Sequence, residues 1–357
     1  MENQNRSFLK AIINRYFIDG LSGMALGLFS TLIVGLILKQ IGNLLNIEMI
    51  VWFGTMASVM TGVGIGIGVA YKLKASPLVM FSSAVSGFIG AYASKIISGA
   101  AFSNGTVVLI GPGEPIGAFL AAIVGVEIAR FVSGKTSLDI VITPIVTIIS
   151  GGFVGMFLGP HVSSFMAWLG SIIVFSTEQA PIIMGILVSV LMGMFLTLPI
   201  SSAALAIILN LSGIAAGAAT VGCSTQMVGF AVMSYRENKV SGLLSQGLGT
   251  SMLQVPNIVK NPLIWIPPII ASAILGPIAT FVLRMENNAY GAGMGTSGLV
   301  GQFMTYQTMI KTSSPAILIF EMLLLHFILP AILTFAISEF MRKKNWIKFG
   351  DLKLDLQ

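Results

Sequence analysis

Residues 140–177, IVITPIVTIISGGFVGMFLGPHVSSFMAWLGSIIVFST, contain no Asp, Glu, Lys or Arg and are bounded by Asp139 and Glu178. A helix needs about 20 predominantly apolar residues to cross the hydrocarbon core of a bilayer, so this stretch has length to spare. A second charge-free stretch runs from Gln179 to Tyr235. No water-soluble fold hides two such runs. The composition agrees: 55% of the 357 residues are hydrophobic and 9% are charged, against about 25% charged in soluble domains. The expected fold class is an all-α polytopic membrane protein.

Working outward, apolar spans are expected near 21–41, 49–70, 76–97, 115–133, 138–159, 181–200, 262–284 and 315–341, with interrupted apolar regions near 202–260 and 288–311. About ten crossings fit, and eight plus re-entrant hairpins fit as well. Arg6, Lys10 and Arg15 precede the first span, Lys72 and Lys74 follow the second, and Arg130 and Lys135 follow the fourth. Arg342, Lys343, Lys344 and Lys348 follow the last. Cytoplasmic loops concentrate Lys and Arg, so both termini are expected in the cytoplasm of a bacterial cytoplasmic membrane. The +6 charge therefore reports topology and gives no nucleic-acid face. Leu21–Leu38 is too long for a signal-peptide core, and no clean cleavage site follows it.

Small residues recur at every fourth position in Gly54/Ser58/Gly62/Gly66, Gly117/Ala121/Gly125, Gly151/Gly155/Gly159 and Gly185/Ser189/Gly193. Such stripes let helix backbones approach closely in lipid and are read as packing. In His161–Ile173, the residues His161, Ser164, Trp168 and Ser171 share one helical face, which suits an interfacial amphipathic helix. The expected domains are thus a helical bundle over 1–160, an interfacial linker over 161–180, a second bundle with interrupted helices over 181–341, and a cytoplasmic tail over 342–357.

Polar chemistry concentrates in Ser245–Pro262, SQGLGTSMLQVPNIVKNP. On a helix, Gln246, Thr250, Gln254, Asn257 and Asn261 fall within roughly 80° of one another, and Pro256 kinks the run. Unpaired amides in hydrocarbon are costly, so this face meets either protein partners or a wet cavity. Gly213–Gly229 and Gly291–Gln302 are glycine-rich, which predicts irregular backbone. They add Thr225, Gln226, Thr296, Ser297 and Gln302 to the candidates for solute binding. Glu114 in GPGEP is read as a helix-start carboxylate or a proton or solute group, and Glu127 with Arg130 as a local ion pair. Glu321 and His326, five apart, point in different directions, and His326 is read as a packing residue. The single Cys223 excludes an internal disulfide. No catalytic triad, metal-ligand cluster or cofactor motif is present, so no cofactor, metal or catalytic residue is expected.

The runs LDIVITPIVTIISGGFVGMFLGP (138–160), LSGIAAGAATVGCSTQMVGFAVMS (211–234), GLLSQGLGTSMLQVPNIVKNPLIWIPP (242–268) and GAGMGTSGLVGQ (291–302) together resemble the membrane IIC subunits of the bacterial phosphotransferase system. Within that family they are most similar to the branch that includes the perfringolysin regulatory membrane protein of clostridia. The resemblance implies a homodimeric elevator transporter, with an N-terminal scaffold and a C-terminal transport bundle. It also implies a small sugar-like solute and separate IIA and IIB proteins as phosphoryl donors. Two family features are missing: Gly295–Leu299 carries no acidic residue, and TLPISSAAL (197–205) carries no histidine. Two alternatives follow: a membrane sensor or regulator without transport, or a non-phosphorylating carrier in which Lys260 or Lys311 meets an anion.

Overall fold

The computed structural model describes residues 12–354 apart from 104, 109, 110, 112, 178 and 201. Arg6, Lys10 and Glu178 lie outside the described residues, as does the end of the tail from 355. The chain divides into two compact units, Met1–Phe165 and Met166–Gln357.

Apart from one exposed hairpin, β1 (Phe102–Ser103) and β2 (Thr106–Val107), the described elements are helical. In the first unit these are α1 (Asn14–Asn43), α2 (Glu48–Val59), α3 (Thr61–Lys72), α4 (Pro77–Ile97) and α5 (Pro115–Ala129). Next comes α6 (Asp139–Thr177), within which the division between the units falls. The second unit continues with α7 (Pro181–Thr197), α8 (Gly213–Met233), a broken segment over 235–260, α9 (Pro262–Val282), α10 (Val300–Met309) and α11 (Pro315–Lys343).

Six of the described helices are long and apolar enough to cross a membrane, or seven if the α2–α3 pair, bent by 52°, counts as one span. α5 and α7 are apolar but shorter, at 15 and 17 residues. Seven of the eight segments read from hydropathy fall on one of these helices each, and 49–70 covers the bent α2–α3 pair. The protein is an all-α polytopic membrane protein.

The small-residue stripes serve as close-packing seams. A Cβ added at Gly62 would stand 2.7 Å from the Gly87 carbonyl of α4, and one at Gly151 would stand 2.7 Å from the Ala121 carbonyl of α5. The Gly54–Gly66 stripe is split by the bend at Met60, so Gly54 and Ser58 face α1 while Gly62 and Gly66 face α4. In the second unit Gly193 faces Gly222 of α8, and Gly185 faces Gly276 of α9. Lipid offers no hydrophobic drive for helix pairing, and these backbone approaches supply van der Waals contact in its place.

Three sequence expectations change. Gly213–Gly229 is not irregular: it lies in the unbroken α8, nearly all of which is buried. Glycine's poor helix propensity is overruled because close neighbours need its small volume, and a backbone shielded from water must pair internally. Residues 161–177 do not form a separate interfacial helix but continue α6 past Pro160. Ser245–Pro262 is not one helical face: it runs through a π-helical turn (Ser245–Gly249), a 3₁₀ turn (Ser251–Gln254) and a short α-helix (Val255–Lys260). Pro256 opens that last helix, at a position where its missing N–H costs nothing, and does not kink it. Gly291–Gln302 is irregular as expected, with Gly295, Gly298 and Leu299 at positive φ.

Candidate functional site

The second unit is built around α8, whose Thr220, Ser224, Thr225 and Gln226 are fully buried. Hydroxyls there are easily placed, since Thr220 and Thr225 donate to carbonyls one turn back. The amide of Gln226 is harder to satisfy. Its Oε1 accepts from the indole Nε1 of Trp265 at 2.9 Å and lies 3.2 Å from the Thr197 hydroxyl. The Thr197 hydroxyl in turn is 2.9 Å from that of Ser251. An indole N–H can only donate, which fixes the amide with its oxygen toward Trp265. Its Nε2 then has no hydrogen-bond partner among the described residues. A bare buried donor of this kind costs about 1–3 kcal/mol, and a ligand oxygen placed against it would recover that cost.

The 291–302 turn lies against the same stretch of α8. Gly295, at φ +53, has the backbone of Cys223 and Ser224 where a Cβ would be, 2.7 and 2.8 Å away. Only glycine serves here, for its dihedral and for its lack of side chain. Thr296 donates to the Gly247 carbonyl at 2.5 Å, and the buried Ser297 hydroxyl has no partner among the described residues. Gln302 sits on the opposite side of α8 from Gln226, with Nε2 3.1 Å from His326 Nδ1 and 3.4 Å from Ser224 Oγ, and with Oε1 unpaired among the described residues. His326, read as a packing residue, is buried in a π-helical turn of α11 with its Nδ1 met by Gln302.

The other candidates are placed differently. Gln246, Gln254 and Asn257 form a ladder: Gln254 Nε2 donates to Gln246 Oε1, and Asn257 Nδ2 donates to Gln254 Oε1, both at 2.8 Å. Gln246 Nε2 donates onward to Ser234 Oγ at 2.9 Å. The remaining donors of Gln254 and Asn257 go to the backbone carbonyls of Leu352 and Lys353, at 3.0 and 2.8 Å. Asn261 reaches Asp351 at 2.8 Å, and Thr250 caps the 3₁₀ turn through Met252 N. The amides do gather on one side, but they hold the chain's own C-terminal tail.

Trp265, Thr197 and Ser251 were missed in the sequence. They come from three separate elements, and only Ser251 lies in the stretch that the amide pattern singled out. Asn287 was also missed: it ties Thr220, Thr305 and the Gly301 carbonyl together at 2.6, 3.0 and 3.1 Å.

In the first unit, Glu114 precedes α5 without capping it by its side chain, and its Oε2 is unpaired among the described residues. Glu127 lies 4.0 Å from Arg130, but its nearer partner is Arg15, at 2.6 Å. Among the described residues no group of three or more His, Cys, Asp or Glu is placed to hold a metal.

The sequence model of the family described as phosphotransferase system, EIIC, matches residues 18–354. No curated protein and no solved structure matches the chain. A match over nearly the whole length, on a fold of apolar helices with a polar centre in its second unit, places the chain in the EIIC family of phosphotransferase-system membrane proteins.

Proposed function

We propose that this chain is the sugar permease (IIC-type) component of a phosphoenolpyruvate-dependent phosphotransferase system, and that it binds its solute at Gln226. The single observation that supports this site is the unpaired Nε2 of a fully buried Gln226 whose orientation Trp265 fixes. Thr197, Ser251 and Trp265 complete an uncharged polar cluster, and Thr296 and Ser297 supply the neighbouring turn. Amides and hydroxyls suit a polyhydroxylated solute because they both donate and accept. Gln302, on the far side of α8, pairs with His326 and Ser224 and stands outside this cluster. Gln246, Gln254, Asn257 and Asn261 stand between this cluster and the tail.

In this reading the first unit is the scaffold and the second moves the solute by an elevator motion in a homodimer. Both termini are cytoplasmic, and separate IIA and IIB proteins supply the phosphoryl group. A second reading, a sensor without transport, draws support from the tail that occupies the amide ladder. Uptake of labelled hexoses and hexitols separates the two, using cells that express the chain with its IIA and IIB proteins. The transporter reading expects accumulation of one sugar and at least a tenfold loss with Gln226→Leu. No uptake of any sugar by the wild type favours the sensor, and uptake unchanged by Gln226→Leu removes the proposed site.

A further inference from the structure

The tail over 344–354 is held in place more firmly than its charged sequence suggests. After α11 the chain reverses at Asn345, at φ +58, and runs back over the broken segment. Ile347 and Leu352 are buried in one apolar cluster with Phe230, Met233, Ile258 and Ile264. Asn238 clamps the end from both sides: its Nδ2 donates to the Leu352 carbonyl and its Oδ1 accepts from Leu354 N, both at 2.8 Å. Gln254 and Asn257 donate to the same short run of tail backbone. Backbone carbonyls thus occupy the donors that solute hydroxyls or water would otherwise take.

The grip reaches the Gln226 cluster through one short element. Gln254, which holds the tail, and Ser251, which meets Thr197, are the two ends of the same 3₁₀ turn. In a 3₁₀ turn residues three apart lie one above the other, so displacing Gln254 displaces Ser251. A cavity of about 380 Å³ already opens between the tail and the broken segment, lined by Asn257, Lys260, Asn261 and Asp351 among others.

We propose that residues 344–354 are a strap that keeps this turn closed, and that undocking the strap opens a wet route from the amide ladder to Gln226. This rests on the Gln226 cluster being the solute site.

The test uses the full chain with Ser251→Cys as reporter in a Cys223→Ser background, probed with a small charged thiol reagent. Leu352→Ser removes the strap's apolar anchor. Asn238→Ala, which leaves the apolar contacts whole, serves if the first variant fails to fold. Trypsin cleavage at Lys348 and Lys353 reads undocking. The strap proposal expects cleavage and Ser251→Cys modification each to rise at least tenfold in the loosened variants. Faster cleavage with an unchanged modification rate overturns it, and so does a tail that stays protected in both variants. An unchanged rate that is already fast leaves the solute site standing, whereas no modification in any variant removes both.

Discussion

Replacing Gln254 by leucine tests the amide ladder most cleanly, because the two side chains are similar in size and only the polar atoms change. Gln254 is fully buried and makes three bonds: to Gln246 Oε1, to the Leu352 carbonyl, and from Asn257 Nδ2. Polar contacts between helices in membrane proteins average about 0.6 kcal/mol each, so three amount to roughly 2 kcal/mol. The Leu352 carbonyl still accepts from Asn238, but Gln246 Oε1 loses its donor among the described residues. A bare buried acceptor adds about 1–3 kcal/mol, and the extra apolar burial of leucine offsets about 1–2 kcal/mol. The net cost is roughly 1–4 kcal/mol. For a unit of roughly 190 residues this lowers the unfolding midpoint by about 2–15 °C.

The assay is thermal unfolding of the purified full chain in detergent. The double variant Gln246→Leu/Gln254→Leu is expected to lose less than the sum of the two singles, because no bare oxygen remains. A Gln254→Leu midpoint within about 1 °C of wild type would refute the ladder, as would strict additivity.

Other substitutions carry definite expectations. Glu237 and Arg342 form an ion pair at 2.9 Å with side-chain exposures of 1% and 10%. Glu237→Gln or Arg342→Met alone is expected to cost about 3–5 kcal/mol, and Glu237→Leu/Arg342→Met less than either, read as unfolding midpoints. The exposed Arg236 of the neighbouring Arg236–Glu339 pair is expected to change stability by about 1 kcal/mol or less when made alanine. Gly222→Val drives side-chain atoms into the Ser189 backbone of α7 and is expected to cost about 1–3 kcal/mol or more, seen as loss of monodisperse protein on size exclusion. Trp265→Phe removes the donor to Gln226 Oε1 and is expected to weaken solute affinity about five- to tenfold, or about 1 kcal/mol, in a binding titration.

Much of the fold was legible because bilayer thickness and backbone hydrogen bonding leave few options. The eight hydropathic segments and the glycine seams needed no knowledge of the fold. What misled was local propensity. Gly213–Gly229 looks loose by glycine count, yet Gly217, Gly222 and Gly229 are where Met285, Ser189 and Thr334 of neighbouring segments come close to α8. The amides of 245–262 do gather, but not at 100° per residue. A π turn, a 3₁₀ turn and an α turn in succession bring Gln246, Gln254 and Asn257 into one ladder. Their partners, Leu352 and Lys353, lie about a hundred residues away in a stretch that reads as a solvated tail. Gln226 was flagged only as a polar residue in a glycine-rich run. Its importance comes from Trp265 and Thr197, which nothing local in the sequence joins to it.

The central claim is that Gln226 receives the solute, and equilibrium binding tests it without any phosphoryl donor. The sugar that cells accumulate is titrated, in labelled form, against purified wild-type chain and against Gln226→Leu. Loss of one hydrogen bond to a buried amide is worth about 1–3 kcal/mol, so the variant is expected to bind roughly five- to 150-fold more weakly. Equal affinity for the two proteins would contradict the account.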